Sequence, residues 1–423
     1  MQSPGRWQSA SVIAIICLIA PQAAAINVVI DYTYDLPANG GSNFFAGGNP
    51  QGAGGGAQAK AALEAAAGYF STILTDTFDP IAVPAPYHST APGSTGVVSW
   101  TWPATFPHPS NNAANQITVT NPTINADQYR IYVGGRSLAG STLGLGGFGG
   151  YATATRTVSG TNTFTPGDQA NINTLTDALN LAITTRGEPS GFSRWGGSIA
   201  FDNDGSTQWY FNHLGTPSGS VNDFYSVALH ELAHTLGFGL STQWTSLVSD
   251  SKFYGVNAEN QYNGAPVPVA SGSNAGHWDF DVKSVVYGTS IEQEALMDPN
   301  ITSGTRKRLT ALDAGALQDI GWSLALPPGV NGDYNNNGVV DAADYVVWRK
   351  LLNQNVTIPN DATPGSVVAG DYTVWRSNYG KTSAGSGTGD LLASTSIPEP
   401  ATLSLVAISA LSIGLRRTRR AAA

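Results

Sequence analysis

Residues 221–239 of this chain read VNDFYSVALHELAHTLGFG and carry the signals of a buried helix. Asn222 and Asp223 are polar residues of the kind that begin helices, and Gly237 is of the kind that ends them. Apolar residues stand between these signals at Val227, Ala228, Leu229, Leu232, Ala233 and Leu236. A helix with so much apolar surface is normally enclosed by the rest of its domain. The pattern therefore predicts a buried helix with defined ends.

Two histidines on this helix, His230 and His234, have the spacing of a metal site. Residues four apart lie on one face of a helix, so both imidazoles can bind the same zinc ion. Glu231, beside the first ligand, can take a proton from water as that water attacks a peptide carbonyl. The alternative is a buried helix that happens to carry two histidines. The capped, apolar context favours the HExxH motif of zinc enzymes.

Later segments resemble the leishmanolysin-like zinc peptidases, which are metzincins with a long insertion before the third ligand. The compact metzincin pattern would place a histidine at position 240, where this chain has Leu240. The matching segments are HELAHTLGF (230–238), VPV (267–269), GHW (276–278), EALM (294–297), LTALD (309–313) and LQDIGW (317–322). They cover about the second half of the expected catalytic domain. The resemblance implies an α+β, zincin-type fold with a mixed sheet.

The same resemblance implies that His277 is the third zinc ligand and that Met297 forms the methionine turn beneath the metal. A catalytic zinc site needs three protein ligands and one position open for water. The residues alone leave His213 and a carboxylate such as Asp279 or Asp281 as alternative ligands. His277 could instead belong to an exposed loop, and Met297 could be ordinary core filling.

A further helix is expected after Thr310, which is a predicted N-cap with Asp313 three residues on. This is a capping-box arrangement with Asp in place of Glu or Gln. We expect this helix to pack against the helix of the HExxH motif. No residue that stabilises the oxyanion can be chosen from the sequence, and Tyr225 and Tyr287 are only candidates.

A second metal site is predicted in residues 333–344, which read DYNNNGVVDAAD. Oxygen ligands fall at EF-hand positions 1, 3, 5, 7, 9 and 12, with glycine at 6 for the sharp turn. These ligands are Asp333, Asn335, Asn337, the Val339 carbonyl, Asp341 and Asp344. The pattern predicts a calcium ion, and an Asn-rich turn is the alternative.

The segment DYVVWR (344–349) recurs as DYTVWR (371–376), so this loop and helix are duplicated. A repeat of this size resembles a dockerin type I module, for which a cohesin-like partner would be implied. The second loop departs from the pattern, because Ala362, Pro364 and Val368 stand where oxygen ligands should be. We therefore expect one calcium ion, with stabilisation of the small module as its role.

The first 25 residues have the pattern of a signal peptide, with Arg6, an apolar run at residues 12–20 and a small-residue exit at 23–25. The apolar run is short for a transmembrane helix, which is the alternative. Cys17, the only cysteine, lies within this segment. The mature chain is therefore expected to have no disulfide and no thiolate ligand.

The other end reads PEP at residues 398–400, then an apolar stretch at 401–415, then RRTRR at 416–420. The basic cluster would hold the end of this stretch on the cytoplasmic side. This order resembles a PEP-CTERM sorting tail, which implies cleavage by an exosortase-type enzyme. An ordinary short tail anchor is the alternative. We expect an exported protein that is secreted or held at the cell surface or outer envelope.

Composition and local patterns favour an α+β class. Only 12% of residues are charged and 49 are glycine, which is typical of loop-rich extracellular proteins. The net charge of −9 argues against a nucleic-acid partner. Strands are predicted at 26–35, 96–102, 117–120, 129–133 and 197–202, and helices at 59–74 and 171–185. The glycine-rich stretch 134–150 is interpreted as a flexible surface loop or a bulged edge.

These signals predict five segments. They are a signal peptide (1–25), a zinc metallopeptidase domain (26–326), a dockerin-like calcium-binding domain (327–382), a linker (383–396) and a PEP-CTERM tail (397–423).

The leading hypothesis is a zinc endopeptidase that cleaves protein or peptide substrates. The alternative is a non-catalytic, calcium-stabilised surface or matrix binding protein with a structural zinc site. Only catalysis needs Glu231, so the sequence favours the enzyme. A polysaccharide-associated enzyme is less favoured, because no paired carboxylates have a setting suited to glycosidase chemistry.

Overall fold

The structure is a computed structural model that describes residues 26–381 and 394–396, except residues 113, 189, 190, 193, 290, 326–328, 337, 338 and 364. Within this part the α-helices are α1 (Gly52–Ile73), α2 (Pro166–Thr185), α3 (Phe224–Thr235), α4 (Thr242–Ser246), α5 (Val256–Gln261), α6 (Ala311–Asp319), α7 (Ala342–Leu351) and α8 (Ala369–Asn378). The strands are β1 (Asn27–Asp31), β2 (Tyr87–His88), β3 (Val97–Thr101), β4 (Pro103–Pro107), β5 (Gln116–Thr120), β6 (Gln128–Arg136), β7 (Gly144–Phe148), β8 (Gly150–Tyr151), β9 (Thr155–Ser159), β10 (Gly196–Asp202), β11 (Trp209–Tyr210), β12 (Asn222–Asp223), β13 (Val248–Ser249), β14 (Lys252–Phe253), β15 (Val267–Pro268), β16 (Lys283–Val285), β17 (Glu292–Glu294), β18 (Asn300–Thr302) and β19 (Ser394–Ser396).

The predicted mixed α+β class is confirmed by these elements. The predicted signal peptide and sorting tail lie outside the described residues, as does most of the predicted linker. In the described part of the chain, no helix combines the length and apolar character needed to cross a bilayer.

Four strands form the main sheet, in the order β1-β6-β10-β7. β1, β6 and β10 run parallel, whereas β7 is antiparallel to β10. All seven residues of β10 are buried, as expected for a parallel strand that is covered on both faces. Parallel neighbours need long crossover connections, and α1 and α2 lie within the two connections between these strands.

The two faces of this sheet belong to different cores. On β6, Tyr129, Ile131 and Val133 face the larger core, which contains α1 and α3. Tyr132 faces a second core, which contains α2 and the strands around Trp100. This alternation is the period-two pattern of a strand. Helix α3, which carries the HExxH motif, is therefore held between the sheet and the rest of the larger core.

The segment after the predicted signal peptide is part of the larger core. Ile26 is fully buried, and β1 pairs with β6 over five residues. The strand ends at Asp31, earlier than predicted, because the chain then enters 3-10 turns at Thr33–Asp35 and Pro37–Asn39. Asp35 is buried there and accepts hydrogen bonds from the N–H groups of Phe44 and Phe45.

The glycine-rich stretch 134–150 is not a flexible surface loop. It contains the end of β6, all of β7 and the start of β8. The interpretation as a sheet edge is closer, because β7 is the last strand of the main sheet. Glycine weakens a strand, but here it permits close packing. A Cβ on Gly146 would lie 2.4 Å from the backbone oxygen of Glu231.

The C-terminal helices form a small core of their own around Tyr334 and Trp348. Trp348 Nε1 donates to Val368 O (2.9 Å), and Trp375 Nε1 donates to Asp341 O (2.7 Å). Each tryptophan thus binds the N-terminal end of the opposite helix. These reciprocal bonds follow the repeat seen in the sequence. The remaining strands form two- and three-stranded sheets, including a pair between β18 and β19.

Candidate metal centre

Helix α3 begins at the start signal that the sequence predicted. The Asp223 side chain accepts a hydrogen bond from Ser226 N (3.1 Å) and caps the helix. Arg306 donates to both oxygens of the same carboxylate, at 2.9 and 2.7 Å. All twelve residues of α3 are buried. The predicted buried helix is confirmed, although it ends at Thr235 rather than at the glycine turn.

Three histidines converge beside α3. His230 and His234 come from the helix, and His277 comes from a loop far along the chain. The three Nε2 atoms are each 3.1 Å from the other two, and each residue is 1% exposed. Among the described residues, this is the only group of three His, Cys, Asp or Glu side chains whose ligand atoms lie within 4.8 Å of one another.

Hydrogen bonds to backbone carbonyls orient all three imidazoles. His230 Nδ1 lies 3.0 Å from Leu296 O, His234 Nδ1 lies 2.9 Å from Phe238 O, and His277 Nδ1 lies 3.2 Å from Asn274 O. A carbonyl oxygen can only accept, so in each ring Nδ1 carries the proton. The Nε2 lone pairs then point toward one another, which is how histidine ligands of a metal are usually supported.

The dimensions of the triad fit a zinc-sized ion. Zinc–nitrogen bonds of about 2.0–2.1 Å at tetrahedral angles would place the nitrogens roughly 3.3–3.4 Å apart. The observed separations of 3.1 Å are within a few tenths of an ångström of this distance. Three lone pairs at this separation repel one another, and a bound cation would relieve that repulsion. The triad can therefore hold a metal ion.

Burial lowers the pKa of His230 to about 4 and the pKa of His234 to about 3. Burial also lowers the pKa of His277, and the neighbouring imidazoles lower it further. The cause is desolvation, which disfavours the charged imidazolium. At neutral pH all three rings are thus in the neutral form that binds metals.

The fully buried side chain of Trp278 anchors the loop that carries His277. The Trp278 ring packs against Phe238, Trp244 and Phe253. Its backbone N–H donates to Met297 O (3.0 Å). The interpretation of this region as an exposed loop is therefore wrong.

The alternative third ligands lie elsewhere. The His213 ring stacks on Tyr225, with ring centroids 6.3 Å apart. Asp279 and Asp281 are exposed.

Tyr225, a candidate for oxyanion stabilisation, packs beside Arg306, so it is engaged near the start of α3. Tyr287, the other candidate, binds Leu309 O through its backbone N–H.

Met297 is fully buried in the larger core. The backbone of this turn holds two parts of the triad, because Leu296 O receives the His230 Nδ1 hydrogen bond and Met297 O receives the Trp278 N–H. The turn therefore sets the orientation of one ligand and the position of the loop that carries another.

The Asp313 carboxylate joins these parts together. Asp313 is fully buried, and it accepts hydrogen bonds from Trp278 Nε1 (2.9 Å), Leu296 N (2.9 Å) and Met297 N (3.3 Å). It also completes the capping box of α6 with Thr310. The sequence predicted the capping role, but it gave no signal for the contacts with the His277 loop and the methionine turn.

Glu231 is fully buried and lies against β7. Its Oε2 accepts a hydrogen bond from Gly146 N at 2.6 Å. A Cβ on Gly144 would lie 2.5 Å from Oε1 and 2.7 Å from Cγ of the same side chain. Gly144 thus leaves the space that the carboxylate occupies, and Gly146 leaves space for the backbone of Glu231. The sequence analysis missed this role, although the alternation of glycines within GLGGF (144–148) was a usable signal.

Replacing Gly144 with Ala is expected to displace the Glu231 carboxylate, because real Cβ atoms do not approach other heavy atoms at 2.5 Å. If the site binds zinc and cleaves peptides, as the sequence predicts, cleavage should fall by about tenfold or more while the metal is retained. Gly147→Ala is the matched control, because its Cβ would meet nothing closer than Leu240 Cδ1 at 3.7 Å. Equal loss of cleavage in both variants would contradict this role of Gly144.

At the predicted calcium loop, Asp344 accepts hydrogen bonds from Asn335 N (2.9 Å) and Asp341 N (2.8 Å). Asp341 and Asp344 form the capping box of α7, and Asp333 is buried at the start of the loop. Asn337 lies outside the described residues. Calcium binding at this loop stays a prediction.

Comparisons of the chain with protein-family models, with curated proteins and with solved structures find no match. A functional conclusion for this site therefore depends on its own residues and geometry.

Proposed function

We propose that the protein is a zinc-dependent endopeptidase. The observation that carries this proposal is the buried triad of His230, His234 and His277, with Nε2 atoms 3.1 Å apart, next to the carboxylate of Glu231. A purely structural zinc site more often has a fourth protein ligand. The described residues contain no further His, Cys, Asp or Glu in this metal-ligand group.

When bound, a zinc ion would acidify water and polarise a peptide carbonyl. Glu231 would take the proton from the attacking water and pass it to the leaving amine. Its hydrogen bond from Gly146 N fixes one carboxylate oxygen. The depressed pKa values of His230 and His234 keep these rings neutral over the physiological range.

An extended peptide would bind along β7. Among the described strands, only β10 pairs with this strand, which ends the main sheet. The free side of such a strand offers backbone N–H and C=O groups that an extended peptide can pair with. Since Glu231 packs against Gly144 and Gly146, a peptide paired with β7 would pass close to the carboxylate and the triad.

We further propose that the mature enzyme is exported and that the loop at residues 333–344 binds calcium. The support for export is the sequence pattern of residues 1–25 and 398–420. The support for calcium is the spacing of oxygen-bearing residues in the loop. A bound calcium ion would stabilise a small module that has no cysteine.

Selective removal of zinc tests the proposed activity. The chain without its predicted signal peptide is treated with 1,10-phenanthroline in excess calcium, so that the calcium loop stays saturated. We expect about one zinc ion per chain before treatment. Casein cleavage should be lost with the zinc and return when zinc is added back.

Cleavage that persists after complete zinc removal would contradict the proposal. A zinc-loaded protein that cleaves neither casein nor a mixed peptide library would favour the non-catalytic binding protein instead.

A further inference from the structure

A cavity of about 490 Å³, which none of the triad histidines lines, lies at the carboxyl ends of the parallel strands. Arg136 ends β6, Asn203 follows β10, and Ser42 lies in the segment after β1. All three line the cavity. In open sheets with parallel strands, ligands commonly bind in the crevice outside the carboxyl ends, where the loops separate. The cavity thus has the position of a ligand site.

Arg136 is the only charged residue among those that line the cavity. Its side chain is half-buried, and its Nε is buried with no hydrogen-bond partner among the described residues. Desolvation lowers the pKa of this guanidinium. Asp202, its register partner on β10, accepts from Leu138 N and Thr207 Oγ1 instead. Arg136 is thus a partly desolvated cation whose nearest strand partner is engaged elsewhere.

Two other arginines, the buried Arg186 and the half-buried Arg306, are well paired. Arg186 donates to three backbone carbonyls, and Arg306 binds the Asp223 carboxylate. Taking a charged group out of water without a compensating partner costs free energy. An anionic ligand in the cavity would supply the partner that Arg136 lacks among the described residues.

Two serines that line the cavity, Ser42 and Ser110, already have hydrogen-bond partners. Ser42 Oγ donates to Gly135 O at 2.6 Å, and Ser110 Oγ donates to Asp35 Oδ1 at 3.2 Å. The same carboxylate accepts the N–H groups of Phe44 and Phe45, so its acceptor positions are largely used. A wall that is ordered before binding loses little conformational freedom when a ligand enters.

We propose that this cavity binds a small organic carboxylate with a hydroxylated body, such as a sugar acid. One guanidinium matches one carboxylate through its planar pair of N–H donors. The cavity volume of 490 Å³ lies within the usual range for small-molecule sites, about 300–1,000 Å³, and exceeds the needs of an inorganic anion. The other lining side chains are serine and asparagine, which both donate and accept hydrogen bonds. This proposal holds whether or not the histidine triad is catalytic.

Isothermal titration of the chain without its signal peptide tests the proposal, with glucuronate as the probe. Glucose serves as the uncharged counterpart and sulfate as the inorganic anion. We expect glucuronate to bind, sulfate to bind more weakly and glucose not to bind. In Arg136→Gln the affinity for glucuronate should fall by about 10- to 100-fold, because a charge-assisted pair is lost.

Two further variants make the test specific. Asn203→Asp keeps the shape of the cavity but adds a carboxylate, so it should also abolish glucuronate binding. Arg156→Gln removes the same charge from exposed β9 and should leave binding unchanged.

The melting temperature of Arg136→Gln should equal or exceed that of the parent protein, because the substitution removes a desolvated charge.

Several results would overturn the proposal. They are no binding of glucuronate, equal binding of glucose, binding of sulfate alone, or glucuronate binding that survives both Arg136→Gln and Asn203→Asp. A melting temperature several degrees lower in Arg136→Gln would show that the guanidinium has a structural partner, and this too would count against an anion site. None of these readouts depends on peptide cleavage.

Discussion

Replacing Glu231 with Gln is expected to slow casein cleavage by about 1,000-fold while the protein keeps its zinc. Glutamine has the same shape, and its carbonyl oxygen can accept the Gly146 N–H that Glu231 Oε2 accepts at 2.6 Å. The amide cannot take a proton from water, so the general-base step is lost although the fold is kept. The measurement is kcat/KM on a fluorogenic peptide, together with the zinc content of each variant.

Glu64→Gln is the matched control for this experiment. Glu64 lies on α1, where its side chain is 53% exposed and 3.9 Å from Lys60 Nζ. The same chemical change at that position should leave cleavage and zinc content unaltered. Cleavage by Glu231→Gln within a few-fold of the parent would rule out this carboxylate as the catalytic base.

Replacing Asp313 with Ala is expected to destabilise the protein by about 3–5 kcal/mol and to weaken zinc binding. The carboxylate is fully buried and accepts hydrogen bonds from Trp278 Nε1 and from the backbone N–H groups of Leu296 and Met297. Alanine would leave these buried donors unsatisfied. It would also release the turn whose Leu296 carbonyl orients His230.

Thermal unfolding with and without zinc measures both effects of the Asp313 change. The affinity for zinc should fall by about 10- to 100-fold, as is typical when the support of a metal ligand is lost. Asp177→Ala, at an exposed position of α2, removes the same charge and should change stability by no more than about 0.5 kcal/mol. Unchanged zinc affinity in Asp313→Ala would show that the triad does not depend on this carboxylate.

The parts of the site that depend on local sequence could be predicted. His230, Glu231 and His234 stand within one helix, and its start signal at Asp223 is visible in the sequence. His277 was reached through the resemblance to leishmanolysin-like peptidases, and the structure places it 3.1 Å from both other rings. The shared helix of His230 and His234 is confirmed, because helix periodicity is encoded over few residues. Zinc binding by the three rings and the catalytic role of Glu231 stay predictions.

The parts that depend on distant contacts could not be predicted. Gly144 and Gly146 are separated from Glu231 by more than eighty residues, and glycine-rich sequence ordinarily indicates a loop. Asp313 gave only its local capping signal, because its bonds to Trp278 and Met297 exist only in the folded chain. Likewise, the surroundings of Arg136 are assembled from the ends of separate strands. Sequence patterns describe neighbours along the chain, and these features join residues that are far apart in it.

The pairing of β1 with β6 has a consequence for how fast the protein acquires its structure. About a hundred residues separate Asn27 from its partner Gln128, and pairing between residues so far apart in the chain slows folding. During synthesis β1 leaves the ribosome first, and it cannot pair until β6 has been made. Under the proposed export, a slowly folding chain would suit passage through a secretion channel, and the three imidazoles would come together only after transport.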